Sequence, residues 1–362
     1  MHKHFLRIFF IAFLLVALSS GLIALIVKSY LVSFAKHKVE LHNVIVEIPY
    51  GSSLRSVVRL LASENVIPSE KKFYWYMRLA RNDADKIQAG YYQFDGVYSL
   101  SQLAESLKYG RNKAFPLVFR EGESLVDLVE SLEIAGIVNQ KEFIEAMTSS
   151  DVLNLIGAPN SEQRKELKND VGGIEGYLFP DTYFFTKKDS PKAIISIMYR
   201  RMVDKIDESI KDRMKEVGMS LHQVLTLAAI VEKEAGEKSE KPIIASVYLN
   251  RLHKGMRLQA DPTVIYGLKN YNGKIHKSDL LGFHSYNTYK IVGLPPGPIA
   301  SPGIEAIKAV LWPATTNYLY FVSKNDGTHV FCENLSCHNK AVKKWQIDYF
   351  KSAQKEKIRN KS

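Results

Sequence analysis

The segment Ile8–Val27 (IFFIAFLLVALSSGLIALIV) contains no charged residue and no proline, and nothing else in the chain restricts its folding as strongly. A helix of about 20 apolar residues spans the ~30 Å hydrocarbon core of a bilayer, where each backbone N–H and C=O must find its partner inside the segment. Lys3 and Arg7 precede the run and Lys28 follows it. A cleaved signal peptide has a shorter apolar region and an A-x-A-like site behind it; no such site stands cleanly after Val27. Residues 1–28 therefore read as a cytoplasmic tail and an uncleaved, single-pass transmembrane anchor. Basic residues are nearly balanced across the run, with Lys28, Lys36 and Lys38 against Lys3, Arg7 and the amino terminus. A short tail before a first apolar segment is the usual arrangement of an exported domain. Residues 29–362 are thus expected on the periplasmic or extracytoplasmic side of the inner (cytoplasmic) membrane.

Forty-nine Lys and Arg against 38 Asp and Glu leave a net charge of +11 over 362 residues, which favours anionic neighbours. The exported placement removes nucleic acid from those partners and leaves an envelope polymer or the anionic membrane surface. At ~150 residues per domain the length suggests two or three domains. Cys332 and Cys337 are too few for a disulfide-rich scaffold or a four-ligand zinc module. In an oxidising compartment they can pair with each other. A metal site built from them with His329 and His338 is the lesser reading, so neither metal nor cofactor is expected.

Residues 44–48 alternate as a strand, Pro49-Tyr50-Gly51 turns, and Ser52-Ser53 precede Leu54, Val57, Val58, Leu60 and Leu61 at helical spacing. A second helix is expected over 71–80, a strand over 88–94 and a helix over 100–107. Strand, turn and helix recur over 115–132, where FREGESLVDLVESLEIAGIV aligns with the earlier IPYGSSLRSVVRLLASENVI as a weak internal repeat. The polar segment 158–172 reads as a linker. Beyond it, helices are expected at 191–216, 220–235 and 239–253, then a long structured loop over 260–303 rich in proline and glycine. A hairpin of strands 318–323 and 328–332 and a last helix near 338–352 complete the pattern. The fold class is α+β: the membrane helix, an α/β module over 40–110, a second αβ subdomain with linker over 111–171, and a helix-rich domain with a C-terminal β-hairpin over 172–352.

Chemistry concentrates at the end of the helix 220–235. From Val224 to Val231 it is apolar nearly all round, interrupted by Thr226, which marks a core helix. It runs into Glu232-Lys233-Glu234-Ala235-Gly236, with Gly236 a natural stop. The helix dipole disfavours negative charge at that end, and burial and dipole together raise a carboxyl pKa toward the range of a general acid. Glu232 and Glu234 point ~200° apart. The residues by themselves leave open which of the two is active, or whether both are solvated.

The segments EGYLFPDTY (175–183), LAAIVEKEAG (227–236), IIASVYLNRLHKGMRLQADPTVIYG (243–267), YNTYKIVGLPPGPIASPG (286–303), YLYFVSKNDGTHVF (318–331) and HNKAV (338–342) occur in that order. Together they resemble the YceG-like family of endolytic murein transglycosylases. The resemblance covers most of residues 40–350 and extends to the anchor and to a LysM-like module within 40–110. It implies a membrane-anchored enzyme that cuts nascent peptidoglycan glycan strands internally, at the β-1,4 bond between N-acetylmuramic acid and N-acetylglucosamine. The products carry 1,6-anhydro-muramyl ends, and the cut helps to terminate elongation beside peptidoglycan synthases (penicillin-binding proteins). One carboxyl suffices for that reaction, in place of the pair that ordinary glycosidases use. The family pattern implies Glu234 as the catalytic residue, with Glu232 a structural carboxylate paired with a lysine or with Arg251. Gln259, Asp261, Thr263, Tyr266, Asn287 and Tyr289 match family motifs and are implied in substrate binding, although Asp261 before Pro262 can instead cap a helix. Two other readings stay open, a muramidase-type hydrolase and a non-catalytic glycan-binding scaffold of the synthesis machinery.

Overall fold

The computed structural model describes residues 2–81, 83, 86–110, 113–157, 173–187, 189–268, 271–349 and 351; the expected linker 158–172 lies outside them. The chain divides into two compact units, Met1–Pro116 with Phe184–Lys188, and Leu117–Tyr183 with Asp189–Ser362. The segment expected as a separate subdomain over 111–171 is split by this division, its residues from Leu117 onward belonging to the second unit.

In the first unit the apolar run belongs to a longer helix, α1 (His2–Phe34). Leu31 and Ala35 at its end are buried in the module that follows. Strand β1 (Lys38–Ile48) pairs antiparallel with β2 (Gly90–Ser99), Lys38 opposite Ser99 and Ile48 opposite Gly90. Between them come α2 (Leu54–Ser63) and α3 (Glu70–Trp75), the latter running on as a π turn over Tyr76–Arg81. Ser53 and Ser69 cap the two helices by accepting from backbone N–H groups three residues on. Ser99 opens α4 (Leu100–Tyr109) with a reciprocal capping box to Gln102. Val46, Val58, Leu61, Phe73, Met77, Tyr92, Phe94 and Leu103 form the core beneath the strands. Strands β3 (Lys113–Val118) and β4 (Thr182–Thr186) extend the sheet in the order β1-β2-β3-β4.

The second unit is helical. Ser124 caps α5 (Leu125–Ile134) and Asn139 caps α6 (Gln140–Thr148), followed by α7 (Ser150–Ile156). The internal repeat therefore reaches further than its sequence match: Ser53 and Ser69 stand to α2 and α3 as Ser124 and Asn139 stand to α5 and α6. Each linking turn buries aliphatic residues, Val66 and Ile67 in one and Ile137 in the other. The single helix expected at 191–216 is two, α8 (Pro191–Lys205) and α9 (Glu208–Val217). The break lies at Ile206, which is buried, and at Asp207, whose carboxylate accepts from the Ile210 N–H at 2.9 Å and so caps α9.

Helix α10 (Leu221–Glu234) forms the centre of this unit, with eight consecutive residues buried from Val224 to Val231. Against it pack α11 (Lys241–His253) and α14 (Ile304–Leu311). The long loop carries two short helices, α12 (Asp261–Gly267) and α13 (Lys277–Leu281), and is buried throughout Gly297–Gly303. Strands β5 (Tyr320–Ser323) and β6 (His329–Cys332) pair antiparallel under α15 (Leu335–Val342). A disulfide joins Cys332 to Cys337. Gly236, just past α10, lies so close to Gly327 that an added Cβ would collide with the Gly327 carbonyl, which fixes the strand-connecting turn against the end of the helix.

Candidate active site

The two glutamates at the end of α10 meet different surroundings. Glu232 is turned into protein: its Oε1 accepts from Lys241 Nζ at 2.7 Å and its Oε2 from the Gly303 N–H at 3.1 Å. Lys241 is itself buried. The ion pair ties the end of α10 to the first residue of α11, and the Gly303 hydrogen bond ties it to the residue just before α14. The partner named for Glu232 from sequence, Arg251, is engaged elsewhere, its Nε donating to the Leu319 carbonyl at 2.6 Å and its guanidinium also to the Leu258 carbonyl. The reason is helical phase: Lys241 and Arg251, ten residues apart, leave α11 in directions that differ by ~80°.

Glu234, the last residue of α10, keeps partial exposure and forms no ion pair among the described residues. Its Oε1 accepts a hydrogen bond from the Tyr248 hydroxyl at 3.0 Å. Burial pushes the carboxyl up to about 7, and the charge of Asp261 adds in the same direction, while the Tyr248 hydroxyl and the Arg251 guanidinium oppose it. Tyr248 and Arg251 stand three apart on α11 and so share a face. A carboxyl poised near neutrality can donate a proton and take one back without leaving its place.

Two of the residues singled out from sequence, Asp261 and Tyr289, interact with this carboxyl, and Gln259 is bonded through its backbone to Thr288, next to Tyr289. Asp261 opens α12 but does not cap it; its Oδ1 accepts from the Tyr289 hydroxyl at 2.6 Å, and the carboxylate is exposed. Gln259 holds a left-handed backbone (φ 52°), donates its N–H to the Thr288 carbonyl at 3.1 Å and leaves its side chain exposed. Tyr289 is partly exposed, and its hydroxyl feels the charges of both Asp261 and Glu234.

The other three face inward. Thr263 is fully buried, its hydroxyl bonded to the Ala260 carbonyl at 2.7 Å and to the Thr288 hydroxyl at 2.8 Å. Asn287 is fully buried too, its amide donating to the carbonyls of Asp279, Leu280 and Gly282 while its oxygen accepts from the Tyr289 N–H at 2.9 Å. Tyr266 is drawn away to a second buried carboxyl, donating to Glu175 at 3.4 Å with its ring centroid 4.9 Å from that of Tyr286. Glu175 also accepts from the Leu125 N–H at the start of α5, and burial pushes it up to about 8. Nearby, Pro296 offers only a carbonyl, so His222 Nε2 donates to it at 2.7 Å, and His222 Nδ1 is hydrogen-bonded with the Tyr177 hydroxyl at 3.0 Å.

Sequence reasoning missed Tyr248 and Lys241. For Tyr248 a signal existed, the helical spacing to Arg251; for Lys241 none did, since a lysine ahead of Pro242 reads as a solvated helix start.

The profile of the YceG-like family matches residues 46–344. A Bacillus subtilis (strain 168) protein named endolytic murein transglycosylase is 36% identical over 308 residues, which are 83% of this chain and 84% of that one. A protein of the same name from Streptococcus pneumoniae serotype 2 is 26% identical over 83% of this chain but only 58% of its own length. This chain therefore spans little more than half of that longer relative. The crystal structure of a yceG-like protein from Listeria monocytogenes is similar at a TM-score of 0.59 and 32% identity, covering 84% of this chain and 99% of that one.

Proposed function

The chain belongs to the YceG-like family, and from that membership we propose that it is an endolytic murein transglycosylase whose one catalytic carboxyl is Glu234. The observation that carries the assignment is the contrast at the end of α10: Glu232 is neutralised by buried Lys241, whereas Glu234 has no cationic partner at contact distance among the described residues and is pushed up to about 7. In this reading protonated Glu234 gives its proton to the glycosidic oxygen between N-acetylmuramic acid and N-acetylglucosamine as the C1–oxygen bond breaks. The carboxylate then takes the proton of the muramyl C6 hydroxyl, whose oxygen bonds to C1 and closes the 1,6-anhydro ring. No water is consumed. Tyr248 holds the carboxylate in place, and the exposed groups of Gln259, Asp261 and Tyr289 bind the sugars. Thr263 and Asn287 serve the same site by fixing the loop that presents them, and Tyr266 does so through Glu175.

Further parts of the reading rest on the family. The substrate is the nascent strand, cleavage ends its elongation, and synthases are neighbours. The β1–α2–α3–β2 module positions glycan in a LysM-like manner, which its strand–helix–helix–strand order supports. The apolar helix α1 serves as the anchor, one window of it running 22 residues over Phe13–Phe34 with mean hydropathy 2.0. Residues beyond it face the extracytoplasmic side, an orientation that the Cys332–Cys337 disulfide favours because such bonds persist in oxidising compartments. Protease added to intact spheroplasts should then digest the chain beyond α1; full protection reverses the orientation.

Mass spectrometry of purified glycan strands digested by the full chain tests the activity. Anhydro-muramyl ends, one water lighter than reducing ends, are expected. The exposed carboxylate of Asp261, near enough to raise Glu234, is the one feature that favours a two-carboxylate hydrolase. Reducing ends would establish that hydrolase, and uncut strands a binding scaffold.

A further inference from the structure

The end of α1 is held in the first unit rather than hinged from it. Leu31 and Ala35 are buried in the module, the Ser101 N–H donates to the Ala35 carbonyl at 3.0 Å, and the Leu100 N–H donates to the His37 carbonyl at 3.1 Å. Twenty-two residues from Phe13 to Phe34 make ~33 Å of helix, close to the ~30 Å of a hydrocarbon core. Whatever packs against Tyr30 and Leu31 is therefore held where hydrocarbon gives way to headgroups.

What packs there is α3 with its π turn. One side of this segment, Phe73, Tyr76 and Met77, faces the module's core. The other side stays open: Trp75 is 48% and Leu79 51% exposed, with Lys71, Lys72 and Arg78 exposed beside them. A shallow groove of about 370 Å³ runs between Tyr30 and Leu31 on α1 and Lys71, Lys72, Trp75 and Leu79. The Lys72 ammonium lies 5.6 Å from the Tyr30 ring centroid and 5.5 Å from that of Phe34, so the cation stands over the aromatic end of the span. A tryptophan, a leucine and a cluster of basic residues on one exposed face is the composition that settles at an anionic interface, with rings at headgroup level and ammonium groups snorkelling to phosphate.

We propose that α3 and its π turn form an interfacial membrane-binding surface, Trp75 and Leu79 entering the headgroup–acyl boundary of the leaflet at the C-terminal end of α1, and Lys71 and Lys72 pairing with anionic lipid phosphates. This rests on α1 being the membrane span and needs nothing from the catalytic assignment. The occupant follows from continuity with the span and from charge. The anchor and the module then meet the bilayer as one body, and the module does not swing freely on a tether.

Full-length chain carrying Trp312→Phe and Trp345→Phe leaves Trp75 as the sole tryptophan of three. It is reconstituted in mixed phosphatidylcholine–phosphatidylglycerol vesicles, with flotation confirming insertion. Lipids brominated near the headgroup end of the acyl chains should quench Trp75 about twofold, while aqueous acrylamide quenches it by no more than about a tenth, as expected for an interfacial ring. Because both cysteines are joined, Leu79→Cys labelled with a polarity-sensitive dye repeats the measurement in a chain that keeps all its tryptophans. Weaker lipid quenching without phosphatidylglycerol is expected, and equal quenching would remove the anionic preference. An inserted chain whose Trp75 and residue-79 probes respond to acrylamide and not to bromine overturns the proposal. Probes shielded from both quenchers also overturn it, since the groove is then covered by protein.

Discussion

Tyr248 donates to Glu234 at 3.0 Å, and a donor stabilises a carboxylate more than the neutral acid. Tyr248→Phe removes that donor while keeping the ring in its buried place, so the Glu234 pKa moves further up from about 7. The protonated carboxyl begins the reaction, so kcat/KM of the unaltered chain should fall about tenfold per pH unit above pH ~7. In Tyr248→Phe that falling limb should lie about half a unit or more to the alkaline side, measured as a pH profile on glycan strands; an unmoved limb would detach Tyr248 from the titration. The same shift has a stability side. Glu234 is raised above its ordinary 4.5, so the folded chain holds its proton more tightly than the unfolded chain does. That stabilisation is complete below about pH 4 and is lost as pH rises through about 7. Glu175, raised to about 8 by its burial, adds a similar loss that extends about one unit higher.

At the scale of elements, the sequence was clearest where one physical rule acted alone. The apolar run Val224–Val231 marked a core helix, and Ser53, Ser99 and Ser124 each mark a helix start that the backbone then uses. The break between α8 and α9 was hidden, because no glycine or proline signals it; Asp207 ends one helix by capping the next. Within the loop pattern α12 was signalled at its start alone, by Asp261 before Pro262, and α13 was hidden, since pieces of seven and five residues carry too little periodicity to read. The site was legible in the same uneven way. A buried helix that ends in charge marked the pair Glu232 and Glu234, the family resemblance singled out Glu234, and motifs put forward Gln259, Asp261 and Tyr289. Which motif residues face inward was not legible, because Thr263 and Asn287 are polar in sequence and fully buried in space. Their burial depends on carbonyls of Ala260, Asp279, Leu280 and Gly282, brought to them by loop closure alone. The Glu232–Lys241 pair was missed for a related reason, as it joins the start of α11 to the end of α10 across a turn.

Over the whole molecule, a helix long and apolar enough to span a membrane is built into one unit, and a carboxyl poised at the end of a core helix lies in the other. Two substitutions in the full-length chain, held in lipid vesicles and given isolated glycan strands, test the role of that carboxyl. Glu234→Gln keeps the size and the Tyr248 contact but cannot donate or accept the proton in flight, and general acid–base participation is typically worth ~10²–10⁴ in rate. Glu232→Gln removes the near counter-charge of buried Lys241 at 2.7 Å and leaves it only Glu121 at 3.9 Å, a change worth up to about 3–5 kcal/mol of stability in comparable pairs. The measurement is the rate of anhydro-muramyl end formation, read together with thermal unfolding of each variant. Glu234→Gln should lose at least about 100-fold in rate while melting no lower than the unaltered chain at pH ~8, and Glu232→Gln should melt well below it yet turn over wherever it remains folded. Near-normal turnover by Glu234→Gln, with turnover abolished in a folded Glu232→Gln, would instead make Glu232 the catalytic carboxyl.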